Sequence, residues 1–173
     1  MIHFCLLRYY FCRCESLLNV HLSFCRFSTD FCIFAPVTIF ASMIGKNNPL
    51  NIRYSILNRW KGQSGSKRGF CEFTEWQYGV RAACILLMRT YRKKGAKTIR
   101  QVVTRFAPPS ENDTENYISF VCRQVGMSPD EEIRQADYPH VISAMSYMEV
   151  GFADFVTVPM VAQVIIEFSI KIA

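Results

Sequence analysis

Residues 74–106, TEWQYGVRAACILLMRTYRKKGAKTIRQVVTRF, set the fold class. Trp76, Val80, Ala83, Cys84, Leu87 and Tyr91 recur every three or four positions, the spacing of one face of an α-helix. Arg92, Lys93 and Lys94 followed by Gly95 close that helix. Cations suit the negative end of the helix dipole, and glycine supplies the left-handed residue beyond it. The basic run reads either as a solvated, dipole-matched terminus or as an anion site. Thr98-x-x-Gln101 then forms a capping box, in which the hydroxyl accepts from the amide three residues on and the glutamine reaches back to the cap amide. A second helix carrying Ile99, Val102, Val103 and Phe106 runs to Ala107-Pro108-Pro109, where proline ends it.

The same devices recur on both sides of this stretch. Thr74-x-x-Gln77 and Ser128-x-x-Glu131 repeat the box, and Ser128-Pro129 is expected to open a short fourth helix. Asn112 is the expected cap of a third helix, with Glu115 at the reach-back position and Ile118, Val121, Cys122 and Val125 facing inward until Gly126. A fifth helix is expected near 139–149 with Val141, Ile142, Met145 and Met148 as its stripe, and a sixth over 158–171 with Val161, Val164, Ile165 and Phe168. Upstream, Asn47-Asn48-Pro49 makes a turn that enters a short extended segment. Residues 60–69, rich in glycine and serine, read as a loop, and Phe70-Cys71-Glu72-Phe73 alternates and is expected to pair with residues 52–55. The expected class is mainly α (α+β), one compact helical domain with a small β-hairpin near its start.

Composition supports a packed domain. Of 173 residues, 50% are hydrophobic and 20% charged, with 8 Gly and 7 Pro, which excludes wholesale disorder and collagen-like sequence. The net charge of +6 hides an uneven distribution. Residues 46–105 hold 14 Lys or Arg against two acids, whereas 106–173 hold ten acids against three cations. The first block attracts polyanions such as nucleic acid, teichoic acid or anionic glycan; the second either folds back on it or repels the same partner.

Residues 1–42 differ in kind. Five of the eight cysteines (Cys5, Cys12, Cys14, Cys25, Cys32) fall there, among aromatic clusters with neither strand nor helix period. This segment reads as an atypical leader, with Met43 as the native start and 43–173 as the single domain. Its longest uncharged run, Phe31 to Gly45, falls short of the roughly 20 apolar residues of a spanning helix, so no stable membrane span is expected. Cys12-x-Cys14 lacks zinc spacing, and neither a metal nor a cofactor is expected. Cys71, Cys84 and Cys122 read as free, mostly buried thiols of a reducing compartment.

Signatures of nucleotide, zinc-protease and serine-hydrolase chemistry are missing: no GxxxxGK[ST], HExxH, GxSxG or repeated CxxC occurs. His140 follows Pro139 at a helix start, where a capping or surface role fits it better than catalysis. Glycan hydrolysis needs a carboxylic acid whose pKa is raised by an apolar pocket. Glu149, beside Met148 and Val150, has the most apolar sequence setting, while Glu72 should point to solvent by strand alternation. Asn47-Asn48-Pro49 and Trp60-x-Gly62 suit a wall that stacks on and hydrogen-bonds a sugar or peptide; turn chemistry plus a core tryptophan explains them equally well.

A longer series of motifs is more specific: Asn47-Asn48-Pro49-Leu50-Asn51-Ile52-Arg53, Trp60-Lys61-Gly62, Tyr78-Gly79-Val80-Arg81-Ala82, the run from Phe106 through Ala107-Pro108-Pro109-Ser110-Glu111-Asn112-Asp113-Thr114 to Ile118, and Met148-Glu149-x-Gly151. Over roughly residues 46–151 the chain resembles a family of bacteriophage and prophage virion structural proteins frequent in gut Bacteroidales genomes. Members of that family commonly begin a few residues before the Asn-Asn-Pro motif, in keeping with Met43 as the start. More distantly it is similar to lysozyme-like glucosaminidase domains, in which an Asn-rich turn and a Trp-x-Gly follow the catalytic glutamate. No acid lies between Asp30 and Glu72, so that upstream glutamate is missing. Either Glu149 or Glu111 replaces it, or the domain is a binding or structural derivative.

What the resemblance implies is a lysozyme-like helical domain of a virion-associated structural protein that contacts host peptidoglycan or another anionic wall polymer, with other virion proteins as further partners. Asn48, Asn51, Arg53, Trp60, Arg81 and Asn112 are the implied substrate-side residues. Such a protein resides in the virion or the reducing host cytoplasm and acts at the cell wall. The enzymatic alternative is an endolysin-like muralytic glycosidase or lytic transglycosylase acting at the β-1,4 glycan bond, with Glu149 or Glu111 as the acid. A third reading, nucleic-acid binding, rests on the basic block interleaved with Tyr54, Trp60, Phe70 and Tyr91, without a recognised module behind it.

Overall fold

A computed structural model describes residues 45–151 and 156–173; the leader reading of 1–42 and the start at Met43 fall on residues outside this set. The described elements are strands β1 (Gln63–Lys67) and β2 (Phe70–Phe73) and five α-helices: α1 (Trp76–Ile85), α2 (Ile99–Phe106), α3 (Thr114–Val125), α4 (Tyr138–Val150) and α5 (Val158–Glu167). The domain is mainly α with a small antiparallel hairpin ahead of the helices, as expected. Among the described residues, no helix is long and apolar enough to cross a membrane.

The helices pack in sequence order, α2 on α3, α3 on α4 and α4 on α5, and α5 returns to α1 to close the bundle. Val80, Ala83, Cys84 and Leu87 of the first helix are wholly buried, as are Ile99, Val102, Val103, Val121, Val141, Ile142, Met145, Val161 and Val164 of the other stripes. Each such aliphatic side chain contributes roughly 1.5–3 kcal/mol of transfer free energy on full burial. Past Ile85 the first helix widens into a π-helical segment, Leu86–Tyr91, that keeps Leu87 and Met88 buried together. There the Met88 carbonyl accepts from the Ala173 N–H (3.2 Å), tying down the C-terminal tail.

Several boundaries differ from the sequence reading. The strand partner of Phe70–Phe73 is Gln63–Lys67, pairing Gln63 with Phe73 and Lys67 with Phe70 around a bulge between Gln63 and Gly65. Residues 52–55 contribute only the isolated bridge Arg53 to Phe70. The reason is the turn: Arg68 (φ 52°) and Gly69 (φ 84°) both adopt the left-handed conformation, the two-residue geometry that matches strand twist, so the glycine-rich stretch folds back on β2 at once. Cys71 and Phe73 are buried while Phe70 and Glu72 lie on the other face.

The capping devices also sort themselves. At α2 both arms form: the Gln101 N–H donates to Thr98 Oγ1 (3.3 Å), and Gln101 Oε1 accepts from the Thr98 N–H (3.3 Å). At α1 the cap position is Glu75 rather than Thr74, without a side-chain cap; Thr74 instead donates its hydroxyl to the Gly62 carbonyl (3.3 Å). Asp113 rather than Asn112 caps α3, accepting from the Asn116 N–H (3.3 Å). The fourth helix expected after Ser128 does not form. Glu131 does reach back to the Ser128 N–H (3.3 Å), but the segment stays in turns because Ile133 is drawn into the core, its N–H bonded to the Lys97 carbonyl (2.9 Å). The last helix stops at Glu167, before Ser169 takes a positive φ of 48°.

Gly79 lets the Asn47–Asn51 turn lie directly on α1, since a Cβ there would sit 1.8 Å from the Asn47 carbonyl oxygen. Gly79→Ala should therefore destabilise the domain by about 1–3 kcal/mol in urea unfolding, the range of overpacked cores. Thr98→Ala should cost about 1 kcal/mol. Thr74→Ala should cost less than Thr98→Ala, because its hydroxyl caps no helix.

Candidate functional site

The turn at 47–53 positions most of the residues singled out in the sequence. Asn48 is fully buried; its Nδ2 donates to the Ile52 (3.0 Å) and Cys71 (2.9 Å) carbonyls and its Oδ1 accepts from the Ile52 N–H (2.8 Å). Two of these bonds close the turn on Ile52 and the third fastens it to β2. Asn51 follows with a positive φ of 46° that aims its side chain at α4, where Nδ2 donates to Glu149 Oε2 (3.2 Å). The Tyr117 hydroxyl of α3 donates to Glu149 Oε1 (3.1 Å). Burial pushes the Glu149 carboxyl up, and the Asn51 and Tyr117 donors pull it partly back. Tyr117 itself is pushed well above the usual phenol range, first by burial and then by the Glu149 charge.

Glu149, on α4, is thus held at both oxygens by donors from two other elements, the turn and α3. A general acid must present a proton to a leaving-group oxygen within hydrogen-bond reach. Here the carboxyl faces its own neighbours. Asn51 Oδ1 is buried without a partner, so turning the amide would let it accept from a protonated Glu149 and keep the seam bonded in either charge state. Two residues on, Arg53 donates to Glu111 (2.7 Å), an exposed pair of the kind worth about 0–1 kcal/mol. Asn112 donates to the Pro108 carbonyl (3.2 Å) within its own turn. Asn51 with Glu149 and Arg53 with Glu111 are therefore brought together as pairs.

Trp60 belongs to a second place. Between the 54–60 segment and β1 lies an open cleft of about 500 Å³, lined by Tyr54, Ser55, Ile56, Asn58, Arg59 and Trp60 on one side and Gln63, Ser64, Gly65 and Ser66 on the other. Tyr54 is 46% exposed, and Ile56 and Leu57 project from the same segment at 78% and 89%. The Trp60 indole N–H is buried without an acceptor. No carboxylate is among the lining residues; Glu149 and Glu111 are not part of this cleft, nor are Asn48, Asn51, Arg53, Arg81 or Asn112. Arg81 lies on α1 with its guanidinium 5.4 Å from the centre of the Phe168 ring.

The question of whether the acidic third folds back on the basic block is answered by ion pairs. Arg53 meets Glu111, Arg92 meets Glu132, and Arg100 meets both Glu115 (3.2 Å) and Asp130 (3.0 Å). Arg92, at the end of the basic run, has a side chain only 9% exposed, whereas Lys93 and Lys94 are exposed. Arg59, Lys61, Lys67 and Arg68 are exposed and join none of these pairs among the described residues. Uncompensated positive charge consequently lies at the hairpin and beside the cleft, and again at Lys93, Lys94 and Lys97. Burial raises the three described thiols, Cys84 to about 12, so none is poised as a nucleophile. His140 is exposed, and among the described residues no three His, Cys, Asp or Glu side chains converge as a metal-ligand set.

Tyr117 escaped the sequence reading because it sits beside Ile118 within an apolar stripe. Its signal was available: a buried tyrosine usually finds a partner for its hydroxyl. Asn58, Ser64 and Ser66 carried no such signal, because they gain a shared wall only once β1 folds against β2.

No family model matches the chain. Protein P5 of Pseudoalteromonas phage PM2 is 41% identical to it over 110 residues, a span that covers 61% of this chain and 68% of that protein. The match bears out the bacteriophage part of the resemblance.

The raised Glu149 pKa gives stability a pH dependence. A carboxyl whose pKa is higher folded than unfolded contributes most below its unfolded pKa, and that contribution is lost as pH rises through the folded value. Glu149→Gln, which keeps the shape without the charge, should hold or raise the melting temperature at pH 7–8 relative to the native chain, with the difference closing as pH falls below the carboxylate range. Tyr117→Phe should lower stability by about 1 kcal/mol and by more at neutral than at acid pH, because it strips a donor from the ionised form. Thermal melts across pH 3–8 check both.

Proposed function

Because the chain belongs to the family of protein P5 of Pseudoalteromonas phage PM2, we propose that it is a virion-associated structural protein that holds host peptidoglycan in the Trp60 cleft. The observation that carries this reading is the make-up of the cleft: two aromatic rings, two side-chain amides, hydroxyls and Arg59, with no acid. Aromatic faces stack on the apolar faces of sugar rings, while Asn58, Ser64 and Ser66 offer donors and acceptors to sugar hydroxyls. Positive charge on Arg59, Lys61, Lys67 and Arg68 around the cleft suits the anionic polymers of a cell wall.

Binding is favoured over hydrolysis on geometric grounds. Hydrolysis of a glycosidic bond needs a carboxylic acid against the bound sugar. Among the described residues the one acid with a raised pKa, Glu149, lies in the Asn51–Tyr117 seam, and Glu111 is exposed and paired to Arg53. The muralytic reading keeps one supporting observation, the raised Glu149 pKa, and the test includes it.

Purified full-length chain should sediment with peptidoglycan sacculi and leave them uncleared in a zymogram. Trp60→Ala should weaken sedimentation roughly tenfold while the thermal melt stays cooperative. Clearing that disappears in Glu149→Gln would establish the enzyme instead. Absence of both sedimentation and clearing would overturn both wall readings.

A further inference from the structure

Large apolar side chains exposed singly are ordinary on a folded surface, but a contiguous group is not. Among the described residues four such side chains stand out to solvent: Ile166 by itself on α5, and Tyr54, Ile56 and Leu57 together within one short segment. Ile56 and Leu57 occupy the centre of a β-turn, in which the Asn58 N–H donates to the Ser55 carbonyl (3.1 Å) and the Leu57 N–H to Ser55 Oγ (3.3 Å). Central turn positions are ordinarily filled by Pro, Gly, Asn, Asp or Ser, so two adjacent aliphatic residues there are out of keeping with turn chemistry alone. The turn is also braced. The Tyr54 N–H donates to the Gly69 carbonyl (2.8 Å), which sets it beside the Arg68–Gly69 end of the hairpin. Lys67 and Arg68 at that end are exposed, have no carboxylate partner among the described residues, and do not line the Trp60 cleft.

We propose that the Ser55–Asn58 turn is a tip by which the chain rests on an anionic lipid bilayer, with Ile56 and Leu57 below the headgroups, Tyr54 at their level, and Lys67 and Arg68 against the lipid phosphates. Each part answers a requirement of that interface. Aliphatic side chains gain on leaving water for the acyl boundary, and a tyrosine suits the headgroup region because its ring is apolar and its hydroxyl polar. Cations close to an anionic leaflet add an attraction that salt screens. Backbone that enters a water-poor layer must carry its own hydrogen bonds, and Ser55 supplies them to two N–H groups of the turn through its carbonyl and its hydroxyl. A protein partner fits this surface less well, because a stable protein interface buries about 800 Å² on each side, whereas the tip offers two aliphatic side chains and one ring. Bilayer contact goes beyond glycan binding and does not rest on it, since Leu57, the more exposed of the two aliphatic residues, is not among the residues lining the cleft.

The test is flotation of the full-length chain with phosphatidylcholine vesicles, with and without phosphatidylglycerol, together with methyl NMR spectra of the Ile- and Leu-labelled chain on nanodiscs of the anionic mixture that carry a spin-labelled lipid. Flotation with the anionic vesicles, weakened by salt, and selective broadening of the Ile56 and Leu57 methyl signals are expected. Ile166 is the internal control: it is as exposed as Ile56 but lies beside Glu167 on α5, and its methyl signals should stay sharp. Leu57→Ser should weaken vesicle binding roughly tenfold, and the double variant Lys67→Gln, Arg68→Gln should bring binding of the anionic vesicles down to that of phosphatidylcholine alone, both with melts that match the native chain. Absence of flotation, equal flotation with and without phosphatidylglycerol, broadening of Ile166 in place of Ile56 and Leu57, or unchanged binding of Leu57→Ser would overturn the proposal. Leu57→Ser should still sediment with sacculi as the native chain does, so bilayer contact and glycan binding fail separately.

Discussion

The fold turns on the side-chain amide of Asn48. With no exposure to solvent it closes three hydrogen bonds, two to Ile52 and one to Cys71, in a region where an unpaired amide would cost several kcal/mol. Those bonds add to the single antiparallel bridge that residues 52–55 make, Arg53 to Phe70. They hold the 47–51 turn between β2 and α1, where Gly79 leaves space for the Asn47 carbonyl, and Asn47 adds bonds to the Phe73 and Thr74 carbonyls (3.0 and 3.1 Å). From that fixed turn Asn51 reaches Glu149, Arg53 reaches Glu111, and the 54–60 segment departs to form one wall of the cleft. A motif that looks like ligand chemistry in the sequence is, at Asn48, the joint that makes the ligand wall possible.

Charge is arranged by the same logic. A chain with opposite charges concentrated in its two halves gains by folding one on the other, and the pairs of Arg53, Arg92 and Arg100 with acids from 106–173 are that contact. Each exposed pair is worth little singly. Their larger consequence is spatial, because they compensate Arg53, Arg92 and Arg100 and leave Arg59, Lys61, Lys67 and Arg68 as exposed cations around the hairpin, with Lys93, Lys94 and Lys97 exposed at the helical end of the block. A modest net charge thereby becomes a local field suited to an anionic surface.

Helical periodicity was legible throughout, since burial of Val80, Cys84, Leu87, Val102 and Val121 follows from spacing alone. Capping was legible at Thr98, shifted by one residue at Asn112 and Asp113, and misleading at Thr74, whose hydroxyl goes to the Gly62 carbonyl instead of a helix end. The Ser128 box failed as a helix start because tertiary burial of Ile133 outweighed local propensity. Pairing of β1 with β2 was obscured by the glycine and serine content of residues 60–69, as the Arg68–Gly69 turn depends on two left-handed residues, one of them an arginine. Of the site, Asn51, Glu149 and Trp60 were readable as candidates. Tyr117 as the partner of Glu149, and the absence of acids from the cleft, come from three-dimensional packing.

The chain has two tryptophans, Trp60 in the cleft wall and Trp76 at the start of α1, so their indole N–H resonances separate the cleft from the rest of the domain. The most direct measurement is a titration of ¹⁵N-labelled protein with a soluble disaccharide-peptide fragment of peptidoglycan. The expected result is a saturable shift of the Trp60 indole signal with that of Trp76 unmoved. An unmoved Trp60 signal at saturating fragment, or equal movement of both, would contradict the cleft as the place where the wall polymer is held.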